Sequence, residues 1–364
     1  MRLHLVAALW LAAVMPARAD ALDERIPQLK LPAGFSISIL AKVPEARGMA
    51  LGERTLFVGS RRNGVYAVPL DGGKAGAPLQ IASGLTAPIG VAFRAGDLYV
   101  SSVDRIVKLP GIEKQLAQPP KPQLFHGGLP AERHHGGRYL GFGPDGWLYL
   151  GVGAPCNICA PAPDQYANLQ RISPDGKQRE VVARGIRNTV GFDWQPGSNT
   201  LWLTDNGRDM LGDDLPSDEL NRVGKAGAHF GYPYCHQGDV ADPDLGKQRA
   251  CSEFVAPAAR LGAHVAALGL RFYTGKQFPA EYRGQIFIAE HGSWNRSNKS
   301  GYRVVSAKVD AAGKVVAVQP FIEGWLQGQN AWGRPVDVLV APDGALLVSD
   351  DEAGVIWRVS YTAR

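Results

Sequence analysis

Four short segments carry side chains that could do chemistry together. Arg133-His134-His135-Gly136-Gly137-Arg138 offers imidazoles, which titrate near neutral pH and can take a proton from a substrate hydroxyl. Surface histidines beside a Gly-Gly turn are the plainer alternative. Arg187-Asn188 pairs a guanidinium with an amide, both donors suited to a carbonyl or carboxylate oxygen. Between Asp205 and Asn221 the carboxylates Asp205, Asp209, Asp213, Asp214, Asp218 and Glu219 alternate with Gly207 and Gly212. Carboxylates beside freely presented backbone carbonyls are the hard-oxygen chemistry of calcium, although the spacing is not that of an EF-hand and a plain acidic loop would look similar. The fourth joins Glu290-His291-Gly292-Ser293-Trp294-Asn295-Arg296 with Gly333-Arg334-Pro335-Val336-Asp337-Val338, which together could present positive charge to an anionic ligand.

These segments are far apart in sequence, so the fold must bring them together. A polar turn followed by a short apolar strand recurs six times: Thr55-Leu56-Phe57-Val58, Asp97-Leu98-Tyr99-Val100, Trp147-Leu148-Tyr149-Leu150, Thr200-Leu201-Trp202-Leu203, Gln285-Ile286-Phe287-Ile288 and Ala345-Leu346-Leu347-Val348. Most copies are followed by a second strand, as in Gly64-Val65-Tyr66-Ala67-Val68. The repeat length is that of a propeller blade, roughly 40 to 60 residues, apart from one longer interval that holds Cys235 and Cys251. The chain therefore reads as all-β, a six-bladed β-propeller of four-stranded antiparallel blades. Phe35 to Leu40 is expected to complete the last blade by pairing with C-terminal strands. A pair of β-sandwiches would need a linker near mid-chain, and none is evident. The 364 residues include 44 Gly and 26 Pro, which suits many tight turns and few long helices. A propeller gathers loops of successive blades around one end of its channel, where the four segments could meet.

Residues 1–19 carry an early Arg2, an apolar run from Leu5 to Met15 and Ala17-Arg18-Ala19, the pattern of a secretory signal peptide. The run is too short for a spanning helix, which needs about 20 apolar residues. Residues 20–364 are then one propeller, periplasmic or secreted. The formal net charge of +5 includes Arg2 and Arg18, and no long block of like charge occurs, so nucleic-acid binding is disfavoured. In an oxidising compartment four cysteines favour bridges, Cys156 to Cys159 and Cys235 to Cys251. A zinc site would need the two pairs to converge, and haem attachment would need a histidine where Ala160 stands.

Taken together, His134-x-Gly136-Gly137-Arg138, Gly143-Pro144-Asp145-Gly146, Arg187-Asn188, the loop ending in Asp218-Glu219-Leu220-Asn221, and Glu290 to Arg296 resemble the soluble sugar dehydrogenases that use pyrroloquinoline quinone (PQQ), the glucose and sorbosone dehydrogenase family. Gly231-Tyr232-Pro233-Tyr234-Cys235 and the stretch from His264 to Tyr273 are most similar to its sorbosone branch. The resemblance runs from about Pro32 to Tyr361 and implies a six-bladed propeller holding PQQ and calcium at the channel mouth. It implies that His134 is the catalytic base for a sugar hydroxyl. Arg187 and Asn188 would stabilise charge on the cofactor, Gly207 and Arg208 would hold calcium through their carbonyls with Asp218 behind them, and Arg334 would pair with a cofactor carboxylate.

The chain departs from the glucose enzymes at three places. Val336 stands where they carry a second arginine, Ala87-Pro88-Ile89-Gly90 replaces a glutamine-bearing loop, and their cofactor lysine has no clear match, with His291, Arg296 or Lys299 as substitutes. The implied activity is oxidation of an aldose or a sugar aldehyde such as sorbosone, with electrons passed to a separate acceptor, a cytochrome or a quinone. A homodimer is left open. A calcium-dependent lactonase and a non-catalytic sugar- or protein-binding propeller are the alternative functions on this frame.

Overall fold

The computed structural model describes residues 22–62 and 64–363; the expected signal peptide lies outside them. Six antiparallel sheets form the blades of a propeller. Blade 1 comprises Ala46–Leu51, Thr55–Ser60, Val65–Asp71 and Leu79–Ala82, and blade 2 Val91–Arg94, Asp97–Ser102, Arg105–Leu109 and Gln123–His126. Blade 3 runs Leu140–Phe142, Leu148–Val152, Asn168–Ile172 and Arg179–Arg184, with a parallel outer strand at Ala228–His229. Blade 4 has Phe192–Trp194, Leu201–Asp205, Ser217–Val223 and Ala259–Ala263, and blade 5 Ala267–Phe272, Ile286–Glu290, Arg303–Val309 and Val315–Ile322. Blade 6 takes Pro335–Val340, Leu346–Asp350 and Val355–Tyr361 from the C-terminal end and its outer strand, Phe35–Lys42, from the other end, with Phe35 opposite Tyr361. The ring closes as the sequence suggests.

The second strand of each blade explains the repeat. Thr55–Ser60, Leu148–Val152, Leu201–Asp205, Ile286–Glu290 and Leu346–Asp350 are buried along their whole length. Both faces of these strands meet neighbouring blades, so they read as unbroken apolar runs rather than as alternating ones. Phe57, Trp202 and Phe287 in these strands have no exposed surface, and burying each such ring stabilises the fold by about 2–3 kcal/mol.

First strands stand nearest the axis and touch one another around the ring: Ala46–Leu51 meets both Pro335–Val340 and Val91–Arg94, and Ala267–Phe272 meets both Phe192–Trp194 and Pro335–Val340. Glycine permits the close approach. A Cβ on Gly90 would stand 2.0 Å from the Arg138 carbonyl oxygen, and one on Gly191 would stand 2.2 Å from that of Leu268.

Polar groups from four first strands, and Tyr139 just ahead of a fifth, tie together at the axis. Asp337 accepts from the Met49 backbone N–H at 2.9 Å and from the Tyr139 hydroxyl at 3.2 Å. Arg271 donates to the same hydroxyl at 2.9 Å and lies 3.5 Å from Asp193. Burial pushes the Asp337 carboxyl up to about 6 and raises the Tyr139 phenol, while Arg271 opposes the shift at both.

Candidate active site

In each blade the first strand leads away from one end of the channel and the second returns to it. Loops before first strands and after second strands therefore share that end, and between them they wall a cavity of about 580 Å3. Five arginines reach it, Arg47, Arg61, Arg133, Arg187 and Arg334, against two carboxylates, Asp209 and Asp218. Arg61 and Arg133 are exposed at the rim, while Arg187 is buried and Arg47 and Arg334 are half-buried. Such a wall selects an anion.

Two adjacent histidines meet different fates. His135 lines the cavity, whereas His134 is exposed and outside it, its ring 4.1 Å from that of His135. The turn sets this: His135 has a positive φ of 50°, which swings its side chain inward. Of the two, the structure thus brings His135 into the cavity wall and leaves the expected His134 outside it. His135 Nδ1 lies 2.8 Å from the Ala154 carbonyl oxygen. A carbonyl only accepts, so Nδ1 carries the proton and Nε2 keeps a lone pair. Burial first, and then the charge of Arg187, push this imidazole down to about 3, so it stays neutral at physiological pH.

Arg187 and Asn188 are brought to the same wall by Asp205, whose carboxylate oxygens accept both backbone N–H groups, at 2.9 and 2.7 Å. The Arg187 side chain is largely committed. Its Nε donates to the Asn157 carbonyl at 3.0 Å, its Nη1 to the Asn206 carbonyl at 3.2 Å, and its Nη2 to Asn157 Oδ1 at 2.9 Å and Asp209 Oδ2 at 3.1 Å. Of five N–H bonds, one on Nη1 is left for a ligand.

Gly207 lines the cavity and donates its N–H to Asp218 at 2.8 Å. Arg208 is not in the wall; its guanidinium turns away to Asp242 and Asp244. Among the described residues no three His, Cys, Asp or Glu side chains gather to hold a metal, so a calcium ion here would depend on backbone carbonyls.

On the far side, Arg334 donates to the carbonyls of His291 and Gly292 at 3.1 and 3.0 Å and stands over the Tyr302 ring. His291 donates from Nε2 to Asp351 at 2.7 Å. Burial pushes this imidazole down to about 4 despite the carboxylate, so His291 is a neutral donor and not the cation expected of it. Arg296 is spent on the 213–214 loop, bonding the Asp213 carbonyl and Asp214, and Lys299 lies over Tyr302; neither lines the cavity. The cation in their place is Arg47, 3.4 Å from Asp351. It begins a first strand and belongs to no motif, so only its position in the ring reveals it. Its Nε and the Asn295 Nδ2 are buried donors without a partner. Apolar Ala87 and Ile89 complete that side of the wall.

Both expected disulfides are present, Cys156–Cys159 and Cys235–Cys251, so the zinc alternative is set aside. No helix among the described residues is long and apolar enough to cross a membrane.

A six-bladed propeller with a cationic cavity at one channel mouth is thus the class this chain defines. The TrAA12-like family model matches residues 170–362, and the chain belongs to that family. An uncharacterized protein of Borreliella burgdorferi is 34% identical over 358 residues, covering 94% of this chain and 93% of that protein. The aldose sugar dehydrogenase YliI of Escherichia coli is 26% identical over 254 residues, 64% of this chain and 61% of that enzyme. Two solved structures share the fold. One is the calcium structure of a Trichoderma reesei carbohydrate-active enzyme of family AA12, at 18% identity and TM-score 0.81, covering 92% of this chain and 97% of that one. The other is the holo form of the PQQ domain of pyranose dehydrogenase from Coprinopsis cinerea, at 19% identity and TM-score 0.79, covering 91% and 97%. These matches lead to the TrAA12-like family and not to the sorbosone branch expected from the motifs.

Proposed function

We propose that this protein is an exported PQQ-dependent dehydrogenase that oxidises an aldose or a related sugar aldehyde. One observation carries the reading: a neutral histidine with an unspent Nε2 faces a wall of arginines in one cavity. The likeness to sugar dehydrogenases and to a PQQ domain supports it.

The residues present fit a cofactor bearing three carboxylates. Arg47 and Arg334 provide charge on one side, and the unpartnered Arg47 Nε and Asn295 Nδ2 are donors that such a ligand would satisfy. Arg47 thereby compensates for Val336 and for the absent lysine. Calcium would sit at the Gly207 side, on the Gly207 carbonyl, with Asp218 beside it.

PQQ, when bound, supplies a two-electron acceptor for a substrate C–H bond. His135 Nε2 accepts the proton of the sugar hydroxyl being oxidised, while Nδ1–H stays on the Ala154 carbonyl and fixes the ring. The remaining Arg187 N–H and the Asn188 carboxamide offer donors to an oxygen that gains negative charge in the cavity. Electrons then pass to a separate acceptor. The signal-peptide pattern and two disulfides support a periplasmic or secreted location.

The test is reconstitution of the purified protein with PQQ, with and without calcium, followed by dye reduction with a panel of aldoses and sugar aldehydes. Saturable PQQ binding and sugar-dependent reduction are expected. No PQQ binding at micromolar concentration, with or without calcium, would overturn the reading.

A further inference from the structure

Arg187 owes its position to a loop that neither the motifs nor the family likeness singles out. Asn157 sits between the two half-cystines of the Cys156–Cys159 bridge. Its backbone carbonyl accepts from Arg187 Nε at 3.0 Å and its Oδ1 from Arg187 Nη2 at 2.9 Å, so a single residue grips one edge of the guanidinium with two acceptors. The same Oδ1 accepts the Asp209 N–H at 2.8 Å, and Nδ2 donates to the Asp209 carbonyl at 3.0 Å. Asp209 in turn pairs with Arg187 at 3.1 Å. Asn157 therefore joins Arg187 to the 205–215 loop.

Holding a backbone carbonyl and a side-chain oxygen toward one guanidinium demands a fixed turn. The bridge closes that turn within four residues. The turn is also seated from below: the Tyr232 hydroxyl accepts the Cys159 N–H at 3.2 Å, and Cys156 and Ile158 pack on the cluster of Ala154, Ala167 and Tyr232.

We propose that Asn157 is a positioning residue, clamped by the Cys156–Cys159 bridge, that directs the one unspent N–H of Arg187 into the cavity. The consequence for cofactor affinity rests on the PQQ reading above; the consequence for Arg187 itself does not. In Asn157→Ala the backbone carbonyl stays, but Oδ1 is lost, and with it one of the four acceptors of the guanidinium and the tie to the Asp209 N–H, so the guanidinium can swing.

The experiment has a ligand-free arm and a ligand arm. In protein labelled with 15N-arginine, the Arg187 Nη2–H signals, assigned through Arg187→Lys, are expected to exchange with water at least tenfold faster in Asn157→Ala than in the wild type. Asn157→Asp, which keeps the oxygen facing Nη2, should restore most of the protection. PQQ titrated into apoprotein should bind at least tenfold more weakly to Asn157→Ala, with recovery in Asn157→Asp. Unchanged Arg187 exchange in Asn157→Ala would overturn the positioning role, and unchanged PQQ affinity beside a loosened Arg187 would overturn its link to the site. The double variant Cys156→Ser/Cys159→Ser, with Cys235–Cys251 intact, should match Asn157→Ala in exchange; full protection there would remove the bridge from the proposal. If the wild type binds no PQQ, the functional reading falls while the exchange arm still decides the role of Asn157.

Discussion

His135 turns its Nδ1 onto the Ala154 carbonyl, 2.8 Å away, and so leaves Nε2 to the cavity, while His134 beside it faces solvent. General-base catalysis contributes typically 10²–10⁴-fold. His135→Ala is therefore expected to lower kcat of the reconstituted enzyme by at least about 10²-fold with the bound-cofactor spectrum intact. His134→Ala should stay within about threefold of wild type, well short of what loss of a base costs. Dye-reduction kinetics on both variants measure this, and a reversed order would return the role to His134.

The charge of Arg187 helps to hold His135 down to about 3, after burial. Neutral imidazole is the proton-accepting form, so His135 is competent from acidic pH upward. Taking away the positive neighbour favours the protonated form and raises the pKa. In Arg187→Gln the His135 ring should titrate at higher pH than in wild type, read by NMR in the ligand-free protein. A shift downward, or none, would separate the two residues electrostatically.

Arg47 and Arg334 face the cavity and Arg296 does not. Arg47→Ala and Arg334→Ala should each weaken PQQ binding by tenfold or more, the scale of about 1.4 kcal/mol for one lost charged contact. Arg296→Ala should bind as the wild type does. Equilibrium titration of the three apoproteins distinguishes this arrangement from one in which Arg296 is the cofactor's partner.

Glu290 is fully buried, with one oxygen on Arg303 and the other without a partner, and burial pushes it up to about 7. A carboxyl raised in the folded state binds its proton more tightly there than in the unfolded chain. The stability it lends is full below the unfolded value near 4.5 and is lost as pH rises through about 7. Glu290→Gln removes this dependence, so its melting temperature should gain on that of wild type between pH 5 and 8, by roughly 2–4 °C per kcal/mol. A gap that widens the other way would contradict the assignment.

Tyr139 shares its hydroxyl between Arg271 and Asp337 at the axis. Tyr139→Phe leaves two buried charged groups short of a hydrogen bond, at a cost of about 1–3 kcal/mol. Denaturant unfolding should show that loss in the midpoint. A variant as stable as wild type would make the axial network ornamental.

The fold was legible because burial on both faces writes itself as contiguous apolar residues, as in Leu148–Val152. Arg187, Asn188, Gly207 and Arg334 were legible as parts of short motifs and do line the cavity. The choice between His134 and His135 was not, since a left-handed turn at one residue decides it and histidine spacing carries no trace of that. Nor was the charge state of His291, which depends on burial by residues remote in sequence. Arg47 escaped notice for a similar reason: one arginine opening a strand becomes significant only when the ring brings it to Asp351, 304 positions later by its number and 3.4 Å away in space.

Phe35–Lys42 comes first among the described strands, yet it supplies the outer edge of the sixth blade. Its partner, Val355–Tyr361, comes last among them, with Tyr361 standing 326 positions after the Phe35 it faces. There Phe35 packs on Phe278, Phe321 and Tyr361, so the closing strand also ties blade 6 to blade 5. Closing so long a loop is slow, because its entropy is paid before the contacts return anything. The cavity takes its lining from all six blades, so its shape depends on this one closure between the two ends of the ring.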